Sequence, residues 1–146
     1  MMRPTAALFA QVILCVFLFS CAQQPAAPND HPVALSLTNA GTGPLRCRVM
    51  FGHWVDRDLG DLAPGAATTI AMTQSAADGA LYVLRADGQR RMMIETVQCA
   101  QPGNWQQSVG QVDLATIRSG SAHSVEASCA APAGGGRTAC TLDRIN

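Results

Sequence analysis

Period-two alternation of apolar residues, broken by glycine-bearing turns, constrains this chain more than any other feature. Val33-Ala-Leu-Ser-Leu-Thr-Asn39 alternates apolar with polar, Gly41-Thr42-Gly43 offers a turn, and Leu45-Arg-Cys-Arg-Val-Met-Phe51 follows. A turn centred on Thr42 pairs Leu37 with Cys47, Leu35 with Val49 and Val33 with Phe51, so that each apolar residue meets another on one face. A second pair of strands, Leu81–Ala86 and Gln89–Val97, flanks Asp87-Gly88. Asp-Gly tolerates the two positive φ values of a type I′ turn, which sets Leu81 opposite Ile94, Tyr82 opposite Met93, Val83 opposite Met92 and Leu84 opposite Arg91. A third hairpin joins Ser124–Cys129 to Thr138–Leu142 through Gly134-Gly135-Gly136 and brings Cys129 opposite Cys140.

Between these hairpins, Leu62-Ala-Pro-Gly65 marks a turn, and Thr68, Ile70 and Met72 recur at period two as a further strand. Val112–Arg118 is ambiguous between a short strand and one helical turn. About seven short strands with closely spaced turns define an all-β class, an antiparallel two-sheet sandwich of immunoglobulin-like kind. A small β-barrel produces the same spacing and stays open as the alternative.

The N-terminus is of a different character. Arg3 precedes an apolar run from Ala6 to Phe19 that ends Leu18-Phe19-Ser20-Cys21, the layout of a secretory signal peptide. Leu18, Ser20 and Cys21 resemble the lipobox of bacterial lipoproteins. The resemblance implies cleavage after residue 20 and acylation of Cys21, with palmitate among the chains, in a mature protein anchored to a membrane rather than spanning it. Ala22 in place of Asp implies the outer membrane, facing the periplasm. Two or three acyl chains, at about 0.8 kcal/mol per buried methylene, hold a small domain essentially permanently. The expected organisation is a signal peptide over 1–20, a lipidated Cys21 with a Pro- and Ala-rich tether over 21–32, and one β domain over 33–146. His31 falls in the tether and is expected to be solvated.

Export agrees with the cysteines. Cys47, Cys99, Cys129 and Cys140 form an even set in a chain bound for an oxidising compartment, which reads as two disulfides. Zinc clips need close ligand pairs such as CxxC, and none occurs. The third hairpin assigns Cys129 to Cys140, which leaves Cys47 for Cys99. Closing the longer loop stabilises by roughly 4 kcal/mol in the chain-entropy model.

Ten basic residues balance ten acidic ones, so the chain as a whole carries no electrostatic footprint for nucleic acid or for an anionic lipid surface. The densest group of unusual side chains is Phe51-Gly-His-Trp-Val-Asp-Arg-Asp58, read as a loop leaving a strand, where binding residues collect. Its His53, Trp54 and Arg57, with Trp105 in Gln101-Pro-Gly-Asn-Trp105, are the candidate binding residues, because Trp and Arg are enriched at binding hot spots. If Cys99 is fixed beside Cys47, Trp105 is drawn toward that same end. His53 with Met50, Met92 and Met93 offers imidazole and thioether groups that suit Cu(I), although no metal or other cofactor is expected. Catalysis has little to stand on: His123 stands among Ser119, Ser121 and Ser124, Asp56, Asp58 and Glu95 supply carboxylates, and neither G-x-S-x-G nor H-E-x-x-H occurs. The functional expectation is a non-catalytic, lipid-anchored module of the envelope, with a protein partner there or in an exogenous enzyme that it inhibits. A metal or small-molecule site at the His53 end is the alternative.

Overall fold

The structure, a computed structural model, describes residues 29–85 and 90–146. The described residues form nine strands: β1 His31–Asn39, β2 Leu45–Phe51, β3 Val55–Leu62, β4 Ala67–Gln74, β5 Leu81–Leu84, β6 Arg91–Ala100, β7 Gly110–Gln111, β8 Ser124–Ala130 and β9 Ala139–Ile145. Two short helices, α1 Trp105–Ser108 and α2 Leu114–Ser119, lie between β6 and β8. The chain is all-β and sandwich-like, with hydrogen-bonded order β3-β2-β6-β5-β4-β1-β8-β9 and β7 on β6. The path ends at β3 and β9 without closing, so the architecture is not a barrel.

β6 turns the corner of the sandwich. Its second half pairs with β2, from Ile94 opposite Phe51 to Ala100 opposite Arg46, while its first half pairs with β5. The change of partner falls at Glu95, which has no opposite number between Phe51–Ile94 and Met50–Thr96, a β-bulge that bends the strand. The Arg118 guanidinium of α2 holds the bend by donating to the carbonyls of Ile94 (2.7 Å) and Glu95 (3.1 Å). Gln74 fixes α2 in turn, its buried amide nitrogen donating to the carbonyls of Ile117, Arg118 and Gly120 at the helix end.

The expected hairpin between β1 and β2 does not form. β1 lies between β4, antiparallel, and β8, parallel, whereas β2 lies between β3 and β6. Val33, Leu35 and Leu37 still share a core with Cys47, Val49 and Phe51, all buried. The apolar arithmetic was satisfied because both strands turn the same kind of row inward, but from different parts of the sandwich. Asn39, fully buried, organises the crossing by accepting from the Gly41 N–H through Oδ1 and donating through Nδ2 to the carbonyls of Gly43 and Leu62.

The other two hairpins keep their register. Tyr82, Val83 and Leu84 face Met93, Met92 and Arg91, and Cys129 faces Cys140. The Asp87-Gly88 turn lies outside the described residues, as does Cys21. Val112–Arg118 resolves into an extended Val112 followed by α2, whose Leu114 and Ile117 are buried one turn apart. His31 is not solvated tether: it opens β1, and its ring meets the edge of His123 at 5.2 Å. Both expected disulfides are present, Cys47–Cys99 and Cys129–Cys140, each between directly opposed residues of neighbouring strands.

Candidate functional site

Phe51–Asp58 is not a loop but the tip and outer strand of a β2–β3 hairpin. Gly52-His53-Trp54 turns the chain, Phe51 pairs with Val55, and β3 runs back along β2 to Leu62. His53 and Trp54 both have positive φ, 66° and 62°. That region costs an L-residue with a Cβ about 1–2 kcal/mol, and Asn-Gly is the low-strain choice for such a tip. Neither side chain repays the cost by packing, since His53 is exposed and Trp54 is 90 % exposed.

β2 stops at this tip, but β6 continues past it through Met93, Met92 and Arg91 with β5 alongside. The step between the two hairpins is a cleft of about 640 Å³, bordered by Phe51, His53 and Val55 on one side and by Tyr82, Arg85, Arg90, Arg91, Met92 and Met93 on the other. Arg91 spans 5.0 Å from its guanidinium to the Tyr82 ring and is ion-paired with Asp30, whose side chain is almost fully buried. Among the described residues no carboxylate lines the cleft, and Glu95 on β6 stays outside it.

Of the five large apolar residues that are exposed among the described residues, Trp54, Val55, Leu84 and Met93 belong to these two hairpins, with Ile145 the exception. A monomer scatters such residues singly, and their concentration marks a contact surface.

The remaining sequence candidates are distributed otherwise. Arg57 stands exposed on β3, its guanidinium 6.0 Å from the Phe51 ring. Trp105 opens α1 and is half-buried beneath the Arg48 guanidinium at 3.9 Å, partway along β2, so it does not join Trp54 at the tip. The antiparallel course of β6 explains this: Cys99 and Ala100 lie opposite Cys47 and Arg46, at the end of β2 remote from His53. On β3, Asp58 pairs with Arg46, and the guanidinium hydrogen bond, helped by the Gly60 N–H, holds its carboxyl below the usual value. Arg46 also reaches Asp61 at 3.7 Å, and Arg48 reaches Asp56 at 3.5 Å. These exposed pairs contribute little to stability, but they place charge along an edge strand and discourage pairing with other chains.

His53, Met92 and Met93 border one cleft, while Met50 lies on β2 outside it. Among the described residues, the one cluster of three His, Cys, Asp or Glu donors is Cys99, Cys129 and Cys140, with sulfurs within 4.8 Å of one another and all held in the two bridges. No described helix is long and apolar enough to cross a membrane. Sequence reading missed Tyr82, Leu84, Arg85, Arg90 and Arg91 as site residues. The signal was available in the mixed outer face of the Asp87-Gly88 hairpin, which carries apolar and basic residues with no core to face. No protein-family model, curated protein or solved structure matches the chain.

Proposed function

We propose that this protein is a lipid-anchored, non-catalytic binding module of the bacterial envelope, held by Cys21 and working through the cleft between its β2–β3 and β5–β6 hairpins. The observation that carries the reading is the tip itself, where two strained, non-glycine residues expose an imidazole and an indole that the fold does not use. Backbone strain persists where the side chain it displays has a use, and a Trp beside arginines is the composition of a binding hot spot. The leader supports the anchor and the two disulfides support an oxidising compartment.

Crosslinking of the full-length lipoprotein in its native envelope, beside a His53→Ala/Trp54→Ala double variant, tests this reading. A defined partner captured by the wild type and lost in the variant supports it. Equal capture by both, or none by either, sinks it. A second reading, a soft-metal site, is favoured by His53, Met92 and Met93 sharing the cleft border. Titration with Cu(I) that finds no site tighter than micromolar removes it.

A further inference from the structure

We infer that the two disulfides form one thiol–disulfide exchange site, in which a dithiol reductant enters at Cys140 and its electrons pass through Cys129 to the buried Cys47–Cys99 bridge. The fold itself brings the bridges together. Ala40 donates its N–H to the carbonyl of Cys129 at 2.9 Å, and the chain then crosses from β1 to β2, whose third residue is Cys47. This crossing brings the start of β2 within reach of the end of β8. Cys47, Cys99 and Cys129 belong to the buried core, against which half-buried Cys140 packs. The Sγ atoms of Cys99, Cys129 and Cys140 lie within 4.8 Å of one another, a gap too short for another side chain to stand between them.

Two asymmetries give the exchange a direction. Cys140 is the one bridged cysteine that is not fully buried, and its strand β9 ends the path of the sheet, with β8 on one side only. A reductant thiolate attacks at the accessible sulfur, so it bonds to Cys140 and expels Cys129 as a thiolate. The second thiol of the reductant resolves that mixed disulfide, departing as a disulfide and leaving Cys140 as a thiol. The other asymmetry lies inside. Cys99 belongs to the sulfur group and Cys47 does not, so Cys129 attacks Cys99. The Cys99–Cys129 bond forms, the Cys47–Cys99 bond breaks, and Cys47 leaves with the electron pair and takes up a proton. Attack by Cys140 on Cys129 then restores the outer bridge and frees Cys99 as a thiol. Across the cycle two electrons and two protons pass from the dithiol to Cys47 and Cys99, and Cys129–Cys140 is regenerated.

The test uses the full-length chain, dithiothreitol as the dithiol, and acid quenching at timed intervals. Thiols are then alkylated in acidic denaturant, so that burial hides none of them, and peptide mapping follows each cysteine separately. In Cys129→Ser/Cys140→Ser the inner bridge should open about tenfold or more slower than in the wild type, because a thiol held in contact acts at a far higher effective concentration than one in solution. Losing the outer bridge also loosens the fold, which by itself would speed the opening of Cys47–Cys99, so a purely structural role has the opposite sign. Equal or faster opening in the variant overturns the inference. The wild type supplies a second measurement that does not depend on how the variant folds. Quenching during reduction should trap a Cys99–Cys129 linkage with Cys47 free. Finding no linkage between the two bridges, or finding Cys47 joined to Cys129 or Cys140, overturns the inference as well.

Discussion

The carboxylate of Asp30 is buried in an ion pair with the guanidinium of Arg91, and this joins the start of β1 to the wall of the candidate cleft. The Asp30 side chain is 1 % exposed and that of Arg91 is 18 % exposed. Asp30 also accepts from the Ala76 N–H at 3.1 Å, which fastens the same point to the turn after β4. A contact between residues sixty-one positions apart thus fixes how the chain enters β1 relative to the cleft.

Arg91→Ala removes the guanidinium counter-charge from a buried carboxylate. Removing one partner of such a pair costs about 3 kcal/mol, more than deleting both. Chemical denaturation should therefore find Arg91→Ala less stable than the double variant Asp30→Asn/Arg91→Ala. Equal stability of the two would show that the pair is solvent-screened and does not fix the entry to β1.

His53→Gly and Trp54→Gly are expected to stabilise the protein while weakening binding. Relief of the left-handed conformation is worth about 1–2 kcal/mol per residue, against about 0.5–1 kcal/mol for the added freedom of glycine in the unfolded chain. The net gain is about 0.5–1 kcal/mol each, readable as a raised denaturation midpoint. A loss of stability would mean that the tip side chains serve the fold.

The two bridges should open in order. Cys140 is half-buried, whereas Cys47, Cys99 and Cys129 are at most 1 % exposed, so a thiol reductant meets the Cys129–Cys140 bridge first. Alkylation and peptide mapping during mild reduction should label Cys129 and Cys140 before Cys47. Replacing both Cys47 and Cys99 by Ser should cost about 4 kcal/mol, and the smaller loop about 3 kcal/mol. Early labelling of Cys47 would contradict the burial.

Asp113 caps α2, accepting from the Thr116 hydroxyl and the Ala115 N–H, both at 2.9 Å, and these bonds hold its carboxyl below the usual carboxylate value. A carboxylate lowered by folding stabilises above its unfolded value, and that contribution is lost as pH falls through the folded one. Asp113→Ala should thus lower the melting temperature at neutral pH, with the difference from wild type narrowing in acid as the lowered carboxyl takes up its proton. Asp113→Asn, which keeps an acceptor for the helix N–H groups but carries no charge, should fall between wild type and Asp113→Ala at neutral pH and approach wild type in acid. A gap that persists unchanged in acid would mean that the residue acts by packing.

Local pattern made some of this legible and not the rest. Tyr82 opposite Met93 followed from the turn chemistry of Asp-Gly, and Cys129 opposite Cys140 from a glycine run that lies midway between two alternating strands. Leu37 opposite Cys47 did not, since five residues with two glycines can cross the sandwich as readily as they can reverse a strand. What decides between those routes is the Asn39 side chain, whose bond to the Leu62 carbonyl is a long-range contact that no local pattern contains. β3 was misread because Asp56-Arg57-Asp58 looks like a solvated turn, and a charged edge strand has the same composition. His53 and Trp54 were legible as unusual residues, but the cleft beside them was not. It exists only because the bulge at Glu95, held by Arg118, carries β6 beyond the end of β2.

Site-specific photo-crosslinking tests the claim that the hairpin end is where this domain binds. A photoreactive side chain is placed at position 54 in one full-length chain and at position 145 in another, the latter replacing the one exposed large apolar residue that lies away from the cleft. Both chains are then irradiated in their own envelope. The account predicts adducts, to lipid or to protein, from position 54 in clear excess over position 145. Equal yields from the two positions, or a yield confined to 145, would contradict it.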